Sequence, residues 1–103
     1  MAEVGRVRVE ELPEGAVAKL HHPPFHVVVA LVDGAYFAIE DACPHSGRPL
    51  SGGAIDGHLL TCPAHGWVVD VRDGMVQTEA GAGEWNPTYR VTVEDGWVVV
   101  HDD

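Results

Sequence analysis

Two short segments of the sequence each place a cysteine, a proline, a histidine and a glycine close together. One reads Cys-Pro-His-Ser-Gly and begins at Cys43, and the other reads Cys-Pro-Ala-His-Gly and begins at Cys62. Thiolates and imidazoles at such short spacings are typical metal ligands. The Asp56-Gly57 dipeptide between the segments predicts a hairpin turn, which would bring two loops side by side at the ends of neighbouring strands. Cys43, His45, Cys62 and His65 would then face a common centre.

The other residues of these two loops suit the enclosure of a bulky group. The proline after each cysteine fixes φ and stiffens the turn, and the glycines let the backbone pass close to a ligand. A structural zinc site is an alternative, since zinc also takes two cysteines and two histidines. Its paired ligands are usually two to four residues apart, whereas one residue separates Cys43 from His45. A Cys43–Cys62 disulfide would leave His45 and His65 without a role.

The spacing Cys-x-His, sixteen residues, Cys-x2-His resembles the Rieske motif. That motif binds a [2Fe–2S] cluster with two cysteines on one iron and two histidines on the other. The resemblance implies that Cys43 and Cys62 hold the buried iron, and that His45 and His65 hold the outer iron near solvent. It is strong over about residues 40–75, where further matching positions are Leu50, Gly53, Gly57, Trp67, Asp70 and Gly74.

The departures from the motif indicate which Rieske class the chain is similar to. Rieske proteins of quinol-oxidising membrane complexes carry two more cysteines, at positions that match Arg48 and Ala64 here. They also carry a serine and a tyrosine that donate to the cluster sulfurs, where this chain has Trp67 and Val69. Without those donors the reduced cluster is less stabilised, so the resemblance implies a potential on the order of −150 mV, at the low end of the Rieske range. The chain thus resembles the soluble, low-potential ferredoxins associated with oxygenases.

This resemblance implies a one-electron carrier that passes electrons from a flavin reductase to a terminal oxygenase and is not itself an enzyme. Two other hypotheses stay open. The segment from His65 to Asp70 also resembles the small Rieske-like subunit of assimilatory nitrite reductases, in which case the partner is a larger reductase subunit. The third hypothesis is a binding module stapled by zinc, with no redox role.

The elements around the two loops are predicted from turn signals. Four Asp-Gly dipeptides, a signature of tight hairpins, begin at Asp33, Asp56, Asp73 and Asp95. No window shows convincing helical periodicity, and prolines and glycines are frequent. The chain is therefore predicted to be a single all-β domain, residues 1–103, forming a small antiparallel barrel or sandwich with a cluster-binding subdomain at about 40–75. The predicted strands are 6–9, 16–20, 25–32, 35–39, 58–61, 67–71, 75–77, 88–93 and 97–101.

Composition limits the possible partners. The chain has 103 residues, a mass of 11.0 kDa and a formal charge of −10, so nucleic acid is not an expected partner. The longest apolar run, Val27 to Val32, is far below the roughly 20 residues of a spanning helix, and no secretory signal is visible. Cysteines used as thiolate ligands suit a reducing cytoplasm. The acidity favours either a basic redox partner or simply solubility.

Several residues around the two loops have roles that the resemblance or their chemistry predicts. Trp67 is expected to pack beneath the cluster, and Leu50 either shields it or is ordinary core. Arg48 is expected to be exposed beside it. Thr78–Pro87 is predicted to be a flexible surface loop, within which Gly81–Pro87 covers a third side of the cluster by analogy with the family. The remaining histidines are expected to be surface or strand residues without a metal: His21, His22, His26, His58 and His101.

Overall fold

The computed structural model describes residues 2–102, in which nine strands form two antiparallel sheets. The strands are β1 Ala2–Arg8, β2 Val17–Leu20, β3 Val27–Val32, β4 Ala35–Glu40, β5 Ile55–Asp56, β6 Leu59–Thr61, β7 Val68–Asp70, β8 Thr88–Glu94 and β9 Trp97–Asp102. The larger sheet has the order β1-β9-β8-β4-β3-β2, and the smaller has the order β5-β6-β7. The two edge strands of the larger sheet, β1 and β2, contact each other, so this sheet is nearly closed. The all-β prediction is confirmed.

The first and last Asp-Gly dipeptides form the tight hairpins that their chemistry predicts. Asp33 and Gly34 have φ values of 51° and 78°, and Asp95 and Gly96 have 51° and 83°. Positive φ at both central residues matches the right-handed twist of the flanking strands. These turns set the registers of the β3–β4 and β8–β9 pairs.

The strands β3 and β4 separate two hydrophobic cores. Because successive side chains of a strand point to opposite faces, Val28 and Ile39 face one core, whereas Val27, Val29 and Ala38 face the other. The first core lies under the small sheet and is the one that contains both cysteines; its buried members are Val28, Ile39, Cys43, Leu50, Leu60, Cys62, Val69, Val71 and Val76. The candidate site therefore rests on one of the two cores.

The segment Thr78–Pro87 lies largely at the surface, as predicted, and two of its residues are buried. It contains a 3-10 turn, Glu79–Gly81, and both Gly81 and Asn86 are buried. The Asn86 side chain donates to the carbonyls of Glu40 and Ala42, at 3.0 and 2.8 Å. An amide that donates to two carbonyls at and just beyond the end of β4 anchors this segment to the body of the protein.

Two smaller expectations also change. The predicted strand at 75–77 is reduced to isolated bridges, Val69 with Val76 and Met75 with Trp85. The first strand begins earlier than predicted and is followed by a second 3-10 turn, Val9–Glu11. Within residues 2–102, no helix is long and apolar enough to cross a membrane.

Candidate metal centre

The first cysteine loop, residues 43–48, is shaped by hydrogen bonds within its own backbone. The amide of Cys43 donates to the carbonyl of Arg48 at 2.7 Å, and the amide of Gly47 donates back to the carbonyl of Cys43 at 2.7 Å. Gly47 has a φ of 74°, in the region that favours glycine. The chain thus makes a tight, self-supporting turn that presents His45 at its tip.

The second cysteine loop, residues 62–67, repeats this arrangement. The amide of Cys62 donates to the carbonyl of Trp67 at 2.7 Å, and the amide of Gly66 donates to the carbonyl of Cys62 at 2.9 Å. Gly66 has a φ of 75°, almost the value of its counterpart in the first loop. Two loops of different sequence therefore adopt one backbone plan, although the histidine follows the cysteine by two residues in one and by three in the other.

The four candidate ligands lie in two pairs with opposite exposure. Cys43 and Cys62 are each 1% exposed, belong to the same core and form no disulfide. His45 and His65 are exposed, and their ring centroids are 4.8 Å apart in an edge-to-face arrangement. The structure thus places both predicted cysteines in one core and brings both predicted histidines into contact at the surface.

Trp67 connects the first loop to the 3-10 turn at Glu79–Gly81. Its indole stacks on the ring of His45, with centroids 4.7 Å apart and planes at 29°. The indole also lies against Gly81, where an added Cβ would be 2.5 Å from the indole Cζ3. Trp67 therefore packs against the core that contains both cysteines, and Gly81, the first residue of the segment predicted to cover the cluster, contacts its indole.

Leu50 and Arg48 occupy the surroundings that the sequence predicts. Leu50 is fully buried in the core that contains both cysteines, as the core-packing alternative predicts. Arg48 is exposed, and among the described residues its side chain makes no ion pair. It lines a shallow cleft between the two loops together with Pro49, Gly52, Pro63 and Ala64.

Asp41 is a site residue that the sequence reasoning missed. Its buried carboxylate oxygen Oδ1 accepts the amides of Leu50 and Ser51, at 2.6 and 2.7 Å. It therefore ties the start of the first loop to its end. The available signal was an aspartate placed two residues before a candidate ligand, since aspartate commonly caps nearby backbone amides.

The remaining histidines lie outside the site. The rings of His21 and His26 pack with centroids 4.6 Å apart, and the amide of His22 donates to Nδ1 of His26 at 2.8 Å. Because His26 is desolvated and lies beside other basic groups, its pKa is lowered. His58 packs edge-on against a phenylalanine ring, and His101 bonds to a threonine hydroxyl.

The two kinds of donor are those that a Rieske cluster uses. Within residues 2–102, no group of three or more histidine, cysteine, aspartate or glutamate side chains is placed to hold a metal ion. A Rieske cluster needs only two cysteines on one iron and two histidines on the other. Two buried free thiols beside two exposed imidazoles supply that combination.

Comparison with known proteins agrees with this reading. The family model for the Rieske [2Fe-2S] domain matches residues 4–100. The 3-phenylpropionate/cinnamic acid dioxygenase ferredoxin subunit of Photorhabdus laumondii is 31% identical over 101 residues, which are 97% of this chain and 94% of that protein. The chain belongs to the Rieske [2Fe-2S] domain family, and its cofactor is a Rieske-type [2Fe–2S] cluster.

Two solved structures bear on the kind of Rieske protein. A complex of reduced oxygenase and oxidized ferredoxin in carbazole 1,9a-dioxygenase matches with a TM-score of 0.83 and 25% identity, over 92% of this chain and 91% of the other. A putative nitrite reductase NADPH small subunit matches with a TM-score of 0.78 and 19% identity, over 99% and 100%. The second likeness is one of fold alone, so the comparisons favour the oxygenase ferredoxins over the nitrite reductase hypothesis.

Proposed function

We propose that this chain is a one-electron carrier in an oxygenase system, with Cys43 and Cys62 as ligands of the inner iron and His45 and His65 as ligands of the outer iron. The observation that carries the proposal is the pair of matching loops, which bury two free thiols and expose two adjacent imidazoles. When bound, the cluster supplies reversible exchange of one electron.

The two pairs of proposed ligands have different roles in such a carrier. The cysteines lie in a hydrophobic core with Leu50 and Leu60, which keeps water from the thiolate side. The imidazoles reach the surface, so a partner protein can approach the site closest at His45 and His65. Electrons enter and leave at this edge, and the buried side holds the site in place.

The surroundings support a potential at the low end of the Rieske range, on the order of −150 mV. Trp67 turns its ring face toward His45, and Val69 is a buried apolar side chain. Neither brings a hydroxyl donor to the cluster sulfurs. Stabilisation of the extra negative charge in the reduced state is therefore smaller than in Rieske proteins that carry serine and tyrosine at these positions.

The partners proposed are a flavin reductase as donor and a terminal oxygenase as acceptor, with the carrier working in the cytoplasm and catalysing no substrate reaction by itself. The matched ferredoxin that was solved in complex with an oxygenase supports the acceptor. The formal charge of −10 supports basic docking faces on the partners. In a reconstituted system, turnover should require all three proteins, and omission of this chain should abolish it.

The ligand set is tested by spectroscopy of the purified protein and two histidine variants. We expect a red-brown protein that bleaches with dithionite and then gives a low-average-g EPR signal. His65→Ala should lose this signal, and the matched control His58→Ala should retain it, because His58 packs against Phe37 outside the site. Retention of the Rieske signal in His65→Ala, or a colourless protein with one zinc per chain after iron and sulfide reconstitution, would refute the assignment.

A further inference from the structure

The two cysteine loops share their inner hydrogen bonds but are closed differently at the base. The second loop is flanked by paired strands, since Thr61 of β6 lies opposite Val68 of β7. The first loop has no such pair. The chain enters it at Asp41 and returns at Leu50 and Ser51, and the Asp41 carboxylate accepts both returning amides through Oδ1. A side chain thus closes the first loop where a sheet closes the second.

This closure places a charge in the interior. The Asp41 side chain has no exposed surface, and its second oxygen, Oδ2, has no hydrogen-bond partner within the described residues. The nearest cation is Lys19, whose Nζ lies 3.9 Å from Oδ2 and whose side chain is 44% exposed. The charge of Lys19 is shared with solvent, so it offsets the buried carboxylate only in part.

We propose that Asp41 is a positioning residue with a second effect, a fixed negative charge that lowers the reduction potential of the cluster. This proposal rests on the ligand set above, because Asp41 stands two residues before Cys43. Reduction adds an electron to the site, and a buried negative charge opposes that addition more strongly than a surface charge does. Lys19 acts in the opposite direction, by neutralising part of the carboxylate charge.

The variant Asp41→Asn separates the positioning effect from the charge effect. The side-chain carbonyl oxygen of asparagine can still accept the amides of Leu50 and Ser51, so the loop stays closed, but the charge is gone. Asp41→Ala removes the charge and both hydrogen bonds. Lys19→Gln leaves every loop bond in place and removes only the partly compensating cation. Glu3→Gln on β1 is the control, since it removes one carboxylate that is exposed and bound to Arg6.

The measurement is a spectroelectrochemical titration of the visible cluster bands of each full-length holoprotein at pH 7, together with iron and sulfide per chain. We expect Asp41→Asn to raise the potential, Lys19→Gln to lower it, and Glu3→Gln to leave it at the wild-type value. Asp41→Ala should bind less than half of the wild-type iron, because the first loop is no longer closed.

Several outcomes would overturn the proposal. A potential in Asp41→Asn that is unchanged, lowered, or shifted no more than in Glu3→Gln refutes the charge effect. If Asp41→Asn binds no cluster, the charge effect is tested by Lys19→Gln alone. An unchanged or raised reduction potential in Lys19→Gln then refutes the charge effect. Wild-type iron content in Asp41→Ala refutes the role of the two Asp41 hydrogen bonds in closing the first loop. These results differ from failure of the ligand set, in which the wild-type protein itself gives no Rieske spectrum.

Discussion

At Gly81, one added methyl group is expected to disturb the candidate site through the indole of Trp67. The Cβ of an alanine there would lie 2.5 Å from Cζ3 and 2.8 Å from Cε3 of Trp67, and 2.7 Å from Cγ1 of Val76. The backbone conformation at Gly81 carries no positive φ, so alanine meets a steric conflict and not a conformational one. The indole is also stacked on His45, so a displacement of Trp67 would disturb that contact.

The magnitude follows from the cost of overpacking. Forcing an extra methyl group into a filled core costs about 1–3 kcal/mol. For a domain of about 100 residues, each kcal/mol lowers the melting temperature by about 4–8 °C. Gly81→Ala should therefore melt about 4–24 °C below wild type. Movement of Trp67 against His45 should also change the visible circular dichroism of the holoprotein.

The matched control is Gly52→Ala in the same subdomain. A Cβ at Gly52 would meet only the Pro63 ring, at 4.0 Å, so this variant should change stability by less than about 1 kcal/mol, in the stabilising direction. Thermal unfolding followed by far-ultraviolet circular dichroism compares the three proteins. If Gly81→Ala melts at or above the temperature of Gly52→Ala, the packing of Trp67 against the Glu79–Gly81 turn is not as described.

Three further predictions concern the fold and the partners. Arg72 donates to the Asp70 carboxylate at 2.7 Å and lowers the pKa of Asp70 from its ordinary value of 3.8. The resulting stabilisation is present above pH 3.8 and is lost as the pH falls through the folded-state pKa, so the difference in unfolding free energy between wild type and Asp70→Asn should shrink between pH 6 and pH 3. Urea unfolding measures this difference, and a difference independent of pH would contradict the prediction. Leu60→Ala, at a fully buried position, should lower the free energy of unfolding by about 2–5 kcal/mol. Leu59→Ala, at a position 39% exposed, should lower it by less than about 1 kcal/mol. Equal urea midpoints of the two variants would show that the register of β6 is wrong. The chain carries a formal charge of −10, and raising the ionic strength from 0.01 to 0.15 M shortens the Debye length from about 30 to about 8 Å. Association with the oxygenase, followed by stopped flow, should therefore become at least about tenfold slower. A constant association rate would leave solubility as the role of the acidity.

The parts of the fold that were predictable from sequence are those encoded over a few residues. The Asp33-Gly34 and Asp95-Gly96 turns need only the two residues that adopt positive φ, so the dipeptides alone predicted both hairpins. The pairing of Cys43 with His45 and of Cys62 with His65 was visible for the same reason, since each pair lies within one short loop.

The parts that escaped prediction depend on contacts between residues far apart in the chain. The amide of Asn86 reaches the carbonyl of Ala42 across 44 positions, and nothing in the composition of residues 78–87 marks that asparagine as an anchor. Asp41 likewise closes a loop over nine and ten residues. Aspartates are usually exposed, so its burial could be seen only in the folded structure.

The matching backbone bonds of the two loops bear on how fast electrons can pass through this end of the molecule. Electron transfer is slow when atoms around the redox centre must rearrange as its charge changes. Here the loops are held by their own amides and carbonyls and stiffened by Pro44 and Pro63, so one protein conformation can serve both oxidation states. With His45 and His65 as the proposed ligands of the outer iron, the remaining reorganisation would come from water at this exposed edge, and a partner that displaces this water on docking would also lower the barrier to transfer.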